Sequence, residues 1–176
     1  EGATVVVYRD RSPKEVRDMS VVRFAGGRWS EPRTLGHDGW EINGCPVDGP
    51  ALAAKGARVA AAWFSAPLEK PRVAVAFSQD AGATFAAPLT VDEGQPLGRV
   101  DVVLLEDGTP LVSWVETQAD VTRILVRRVP SGGPPGPPIA VGITSHDRPS
   151  GFPRMVRAGP AVLLAWSDVS LKRVRT

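Results

Sequence analysis

Ala57-Arg58-Val59-Ala60-Ala61-Ala62-Trp63, an apolar run closed by a large aromatic, decides the fold because the chain repeats it. It returns as Thr109-Pro110-Leu111-Val112-Ser113-Trp114 and as Pro160-Ala161-Val162-Leu163-Leu164-Ala165-Trp166. The three tryptophans lie 51 and 52 residues apart, and Thr4-Val5-Val6-Val7-Tyr8 fits the same slot 55 residues before Trp63. Two further markers keep the period. Trp29-Ser30-Glu31-Pro32, Phe85-Ala86-Ala87-Pro88 and Pro135-Gly136-Pro137-Pro138 each precede a short apolar run. Gly44-Cys45-Pro46, Pro96-Leu97-Gly98-Arg99 and Gly151-Phe152-Pro153-Arg154 each stand ahead of a repeat's first strand. Independent markers sharing one period of about 50 residues identify a repeat architecture.

Each period has room for four short strands, best defined at 49–54, 57–64, 71–78 and 84–91. Four strands in about 50 residues make the blade of a β-propeller. A two-sheet sandwich also has short strands, but not this self-similarity. The expected fold is therefore all-β, in four-stranded antiparallel blades, with the recurrent aromatic packed between neighbouring blades. The chain divides into a partial blade at 1–35, whole blades at 46–91 and 99–141, and a partial blade at 154–176. That is about three and a half blades of a single propeller domain, fewer than the four to eight of a closed ring. Apolar faces are expected at both ends of the arc, to be covered by blades from the same polypeptide or from a second chain.

Composition agrees with strands and tight turns. Gly (18) and Pro (17) make up about a fifth of the 176 residues, scattered without a collagen-like period. A net charge of +2 gives no electrostatic footprint for nucleic acid. No apolar run approaches the length of a membrane-spanning helix. Cys45 is the only cysteine, so no internal disulfide forms. Between Gly44 and Pro46 it reads as a small buried residue. His37 and His146 sit in separate loops without metal-ligand spacing, and no cofactor motif occurs. The Pro-rich stretch 130–138 reads as a stiff turn.

One hairpin carries a specific motif. Ser78-Gln79-Asp80-Ala81-Gly82-Ala83-Thr84-Phe85 matches S-x-D-x-G-x-T-[FW] at every defined position. Ser and Asp side chains bond amides within the turn, Gly supplies a permissive dihedral, and the aromatic anchors the next strand. With this Asp box, the chain resembles the bacterial sialidase-like repeat family, including uncharacterised exported members. Tyr8-Arg9-Asp10-Arg11-Ser12-Pro13 and Gly44-Cys45-Pro46-Val47-Asp48-Gly49-Pro50-Ala51 add to that likeness. The resemblance implies a six-bladed propeller when complete, and an exported, periplasmic or extracellular protein. It implies an axial face that binds or hydrolyses an acidic glycan. The alternative is a non-catalytic propeller that binds a protein or a glycan. The Asp box itself, Ser78, Asp80, Gly82, Thr84 and Phe85, is structural in that family and remote from the active site.

The axial face of a propeller is built from the loop entering each blade and the loop between its second and third strands. Repeat alignment puts Asp10, Ser65, Glu116 and Asp168 at one equivalent position, and Arg99 and Arg154 at another. Sialidases hold the substrate carboxylate with arginines and use a Tyr nucleophile assisted by Glu, with an Asp acid/base. That implies Arg9, Arg99 and Arg154 as substrate-binding residues, because arginine suits bidentate carboxylate recognition. It implies Asp10 as acid/base and Glu41 or Glu116 as assistants. This chain departs from the pattern in two ways. Tyr8, the only tyrosine, occupies the aromatic packing slot, and the family's Arg-Ile-Pro motif is absent.

Overall fold

The computed structural model describes residues 2–176 as four antiparallel sheets, each built from strands consecutive in sequence. The first sheet holds β1 (Thr4–Arg9), β2 (Met19–Ala25), β3 (Arg28–Trp29) and β4 (Arg33–Gly36). Both β3 and β4 pair with β2, as two halves of one interrupted outer strand. The second holds β5 (Ala51–Lys55), β6 (Arg58–Ser65), β7 (Arg72–Ser78) and β8 (Leu89–Thr90), paired in order. The third holds β9 (Pro96–Leu104), β10 (Pro110–Gln118), β11 (Val121–Arg128) and β12 (Ile139–Ile143). The fourth holds β13 (Gly151–Ala158), β14 (Ala161–Asp168) and β15 (Arg173–Arg175). The only helical segment among the described residues is a 3-10 turn at Pro67–Glu69. The sheets are blades, and their first strands β5, β9 and β13 line one concavity of about 740 Å³.

Side-chain alternation explains the stacking. In β6, Ala61 and Trp63 pack with Met19 and Leu35 of the first blade, whereas Ala60, Ala62 and Phe64 join Val100, Val102 and Trp114 of the third. Trp166 packs with Val115 and Ile124 of the third blade. Each tryptophan thus faces the blade before its own, and Trp63 and Trp114 are fully buried. Strand register makes Gly36, Val91 and Gly142 equivalent on the preceding outer strands, opposite Met19, Val73 and Ile124. A Cβ on Gly36 would stand 2.6 Å from the Trp63 ring, and one on Gly142 2.7 Å from the Trp166 ring. At those two seams glycine provides the space the indole fills.

The sequence boundaries shift in detail. The first strands of the third and fourth blades begin at Pro96 and Gly151, each three residues earlier than 99 and 154. The fourth strand expected over 84–91 pairs only at Leu89–Thr90, because the Asp box and Pro88 occupy the residues before it. Phe85 is half-buried, against the Trp63 cluster, instead of fully buried.

The Asp box closes on itself. Asp80 Oδ1 accepts the Thr84 amide (2.8 Å) and the Ser78 hydroxyl (2.8 Å), and Asp80 Oδ2 accepts the Thr84 hydroxyl (2.6 Å). Ser78 Oγ accepts the Gly82 amide at 2.8 Å. The turn also docks on the first blade. Arg23 Nε donates to the Ala81 carbonyl, Arg33 to the Gly82 carbonyl, and a Cβ on Gly82 would stand 2.5 Å from Val5 Cγ2. Bonds from Thr84, chiefly its hydroxyl, then its amide, hold the Asp80 carboxyl far below its ordinary value.

Two outcomes follow from this packing. Gly36→Ala should lower unfolding free energy by about 1–3 kcal/mol through overpacking, measured by urea denaturation, whereas Gly132→Ala should cost far less, since nothing lies within 4 Å of its Cβ position and its φ is not positive. For Asp80, the depressed folded-state value means its stabilisation is complete above the unfolded carboxylate pKa of about 3.9 and is lost as pH falls toward the folded value. The melting-temperature gap between the wild type and Asp80→Ala should therefore be constant from neutral to mildly acid pH and shrink below about pH 4.

Candidate axial site

The loops after β4, β8 and β12, together with those leaving β1, β6, β10 and β14, lie at one end of the blades. This end carries a cavity of about 360 Å³ lined by Val47, Asp48, Gly49, Pro50, Arg99, Val100, Phe152, Pro153 and Arg154. It opens where the second, third and fourth blades meet, and Pro50 and Arg154 also border the concavity along the first strands.

Three of its side chains bear charge. Asp48 Oδ1 accepts the Arg99 amide at 2.6 Å. Burial pushes the Asp48 carboxyl above its ordinary value, against the opposing pull of the Arg99 amide and of the Arg99 and Arg9 guanidiniums. Arg99 is buried. Its Nη2 donates to the Asp147 carbonyl (2.9 Å), its guanidinium lies 5.4 Å from the Phe152 ring centre, and burial lowers its pKa. Arg154 is the exposed cation, with a side chain 78% exposed and a long ion pair to Asp101 at 3.7 Å. Asp101 is otherwise engaged, since its Oδ2 accepts the Met155 amide at 2.6 Å.

Strand register corrects one alignment. Gly98 pairs with Val115 and Asp101 with Ser113, while Gly151 pairs with Ser167 and Arg154 with Ala165. Counted from Trp114 and Trp166, Arg99 is therefore equivalent to Phe152, and Arg154 to Asp101. Both pairs Gly98-Arg99 and Gly151-Phe152 have positive φ, at 87° and 56°, and at 80° and 52°. This shared irregularity in the strand fixes the match, whereas the Pro-Arg sequence misleads it by two residues.

The other candidates stand elsewhere. Arg9 bonds the Asp48 (2.8 Å) and Phe64 (2.7 Å) carbonyls through Nη2 and the Arg17 carbonyl (3.0 Å) through Nη1, and it lies 4.8 Å from the Trp40 ring centre. Burial lowers its pKa to about 10. It clamps the first blade to the second and does not line the cavity. Asp10 is exposed and accepts the Arg11 amide (2.7 Å) and the Ser20 hydroxyl (3.1 Å). Glu41 is exposed and forms an isolated backbone bridge with Val16. Glu116 is 1% exposed and accepts the Trp114 indole (2.8 Å) and the Gln118 amide (2.9 Å). Tyr8 is half-buried on β1, and Cys45 is exposed instead of buried. Asp10, Glu41 and Glu116 thus do not converge on the cavity. Asp48 and Phe152, which do line it, stand within the quoted stretches 44–51 and 151–154 but carried no catalytic pattern of their own and were not among the candidates.

No family model matches the chain, and no curated protein matches it. Solved structures do. The Hadza microbial sialidase Hz136 aligns with 95% of this chain at a TM-score of 0.58 and 17% identity, covering 40% of its own length. A point mutant of NanB sialidase from Streptococcus pneumoniae aligns with 85% of this chain at 0.50 and 12% identity, covering 24% of its own length. NanB in complex with 2-[(3-chlorobenzyl)ammonio]ethanesulfonate aligns at 0.50 and 11% identity. The chain therefore spans less than half the length of these sialidases, and at such identities the likeness is one of fold. With its four-stranded antiparallel blades, the chain is a sialidase-like β-propeller arc.

Proposed function

We propose that the axial end of this arc binds an acidic glycan through its carboxylate, with Arg154 as the primary contact and Arg99 as a partly shielded second cation. The observation that carries this reading is the 360 Å³ cavity in which an exposed guanidinium adjoins apolar walls from Val47, Pro50, Phe152 and Pro153. A guanidinium offers a carboxylate a bidentate fork, and apolar walls suit the less polar face of a sugar ring. The fold likeness to proteins named as sialidases supports the ligand class by analogy.

Hydrolysis is a second reading, favoured by Asp48. A carboxyl whose pKa is raised by burial, beside a ligand cavity, is suited to donate a proton to a leaving group. Asp48 takes that role in this reading ahead of Asp10, Glu41 and Glu116. Further blades, from the same polypeptide or from a second chain, would complete the ring. Val6, Phe24 and Trp29 on the first blade, and Val156, Leu163 and Val174 on the fourth, form exposed apolar faces of the kind buried at every internal seam. No helix among the described residues is long and apolar enough to cross a membrane. Export, where acidic glycans are met outside the cell, completes the proposal.

Calorimetric titration with sialyllactose and with neutral lactose tests the binding. Arg154→Ala should weaken sialyllactose binding by roughly tenfold or more, as loss of a charge-assisted contact, and leave the melting temperature unchanged. Arg9→Lys should do the reverse, lowering the melting temperature and sparing affinity, because its bonds run to backbone carbonyls. Equal affinity of the wild type for both sugars would reject the carboxylate site. For hydrolysis, release of the fluorophore from an umbelliferyl sialoside should be seen with the wild type and be lost in Asp48→Asn.

A further inference from the structure

Three arginines of the first blade share one sheet face, at the end of the blade remote from the axial loops. Ala25 pairs with Arg28, and Val21 with Arg33. Alternation along β2 puts Arg23 on the same face as Val21 and Ala25, so it stands between Arg28 and Arg33, diagonal to each. Diagonal cross-strand neighbours lie about 7–8 Å apart, within reach of long side chains. All three arginines line one cavity of about 600 Å³, which Ala83 of the Asp-box turn also borders. Two of them are held in place. Arg23 Nε donates to the Ala81 carbonyl at 2.8 Å, and Arg33 Nη2 to the Gly82 carbonyl at 3.2 Å. Successive carbonyls of one turn thus fix two guanidiniums side by side, each with donors to spare. Arg28 is exposed and makes no side-chain bond among the described residues. None of the three forms an ion pair among those residues. One carboxylate borders the cavity, that of exposed Glu31, so three guanidiniums against it leave a local excess of two positive charges. The Asp80 carboxylate of the adjoining turn is occupied by Thr84 and Ser78. Phe24 and Trp29 pair on the opposite face, with ring centres 5.3 Å apart, so the arginine face is the one turned to the second blade and not the one left open.

We infer that this cavity binds a phosphate monoester, held by Arg23, Arg28 and Arg33. Guanidinium nitrogens are donors only, and like charges on neighbouring strand positions repel, so the cavity lacks both acceptors and a counter-charge. A phosphate monoester brings three acceptor oxygens and a charge of about −1.5 to −2 at neutral pH, which matches the local excess. A sulfate ester has the same shape but a single negative charge, and leaves one cation unmatched. The forks of Arg23 and Arg33 are already anchored on the Asp-box carbonyls, so they lose little freedom on meeting the oxyanion. Arg28 completes the contact from its diagonal position. The Asp box then does more than close a turn, because its carbonyls aim two cations into the cavity. This site lies at the opposite end of the blades from the axial cavity and does not depend on the glycan reading.

An NMR titration of the full chain with methyl phosphate, methyl sulfate and methanol, read at the amides of Arg28 and Ala83, tests the inference. Methyl phosphate should shift these amides saturably at neutral pH, methyl sulfate should bind several-fold more weakly, and methanol should leave them in place. Affinity for methyl phosphate should fall as the pH drops through about 6, where the ester takes up a proton, while that for methyl sulfate stays constant. Arg28 makes no bond that the fold uses, so Arg28→Glu should keep the melting temperature and weaken methyl phosphate roughly tenfold or more. An unshifted wild type, or undiminished affinity in Arg28→Glu, would overturn the inference. Shifts confined to Arg99 and Phe152 would overturn it as well, by placing the phosphate in the axial cavity. Equal affinity for the two esters would overturn the assignment to phosphate.

Discussion

Stacking a tryptophan from one blade onto the outer strand of the blade before it is the contact on which the rest of the molecule depends. A four-stranded sheet of this length cannot bury two faces alone, and β6 and β10 are apolar on both. The indole of Trp63 or Trp166 reaches across only where the neighbour gives it a glycine, and where Val91 stands instead, Trp114 is held by its own strand's Glu116. Since each blade must present both an aromatic and its receptor, the period of about 50 residues is a packing requirement written into the chain. Truncating such an aromatic typically costs about 3–5 kcal/mol, a large part of a domain's net stability.

That requirement is why the architecture was legible and the chemistry less so. Trp63, Trp114, Trp166 and the Asp box are local signals whose residue types admit few alternatives, and the strands fall where they indicate. The candidate site depends on which charged groups face one another across seams, and no local pattern encodes that. Arg9 and Asp10 are neighbours in sequence, yet alternation along β1 turns Arg9 toward the second blade and Asp10 away from it. Arg99 and Arg154 each follow the same kind of Gly and Pro context, but the irregular pairing of β9 and β13 displaces them by two residues. Asp48 carried no motif because its role arises from burial beside Arg99, which is a tertiary property.

Arginine's place in this chain also has a physical reading. Arg9, Arg23, Arg33, Arg58, Arg99 and Arg127 all donate to backbone carbonyls of loops or turns in another blade or hairpin. Short blades leave many turn carbonyls at the seams without partners, and a planar five-donor fork meets several at once. Six of the 17 arginines are thus spent on cohesion between blades and hairpins. The one left with a largely exposed side chain beside the axial cavity, Arg154, stands out for that reason.

The positive-φ pairs Gly98-Arg99 and Gly151-Phe152 have a consequence for how such a propeller diversifies. The glycine and the irregular pairing set the backbone, and they are indifferent to whether the next residue is a cation or an aromatic ring. Duplication of a blade would copy the mount intact, and one codon change would then refit it. New specificities at the axial mouth are thus reachable in single steps, with the tryptophan stacking between blades left untouched.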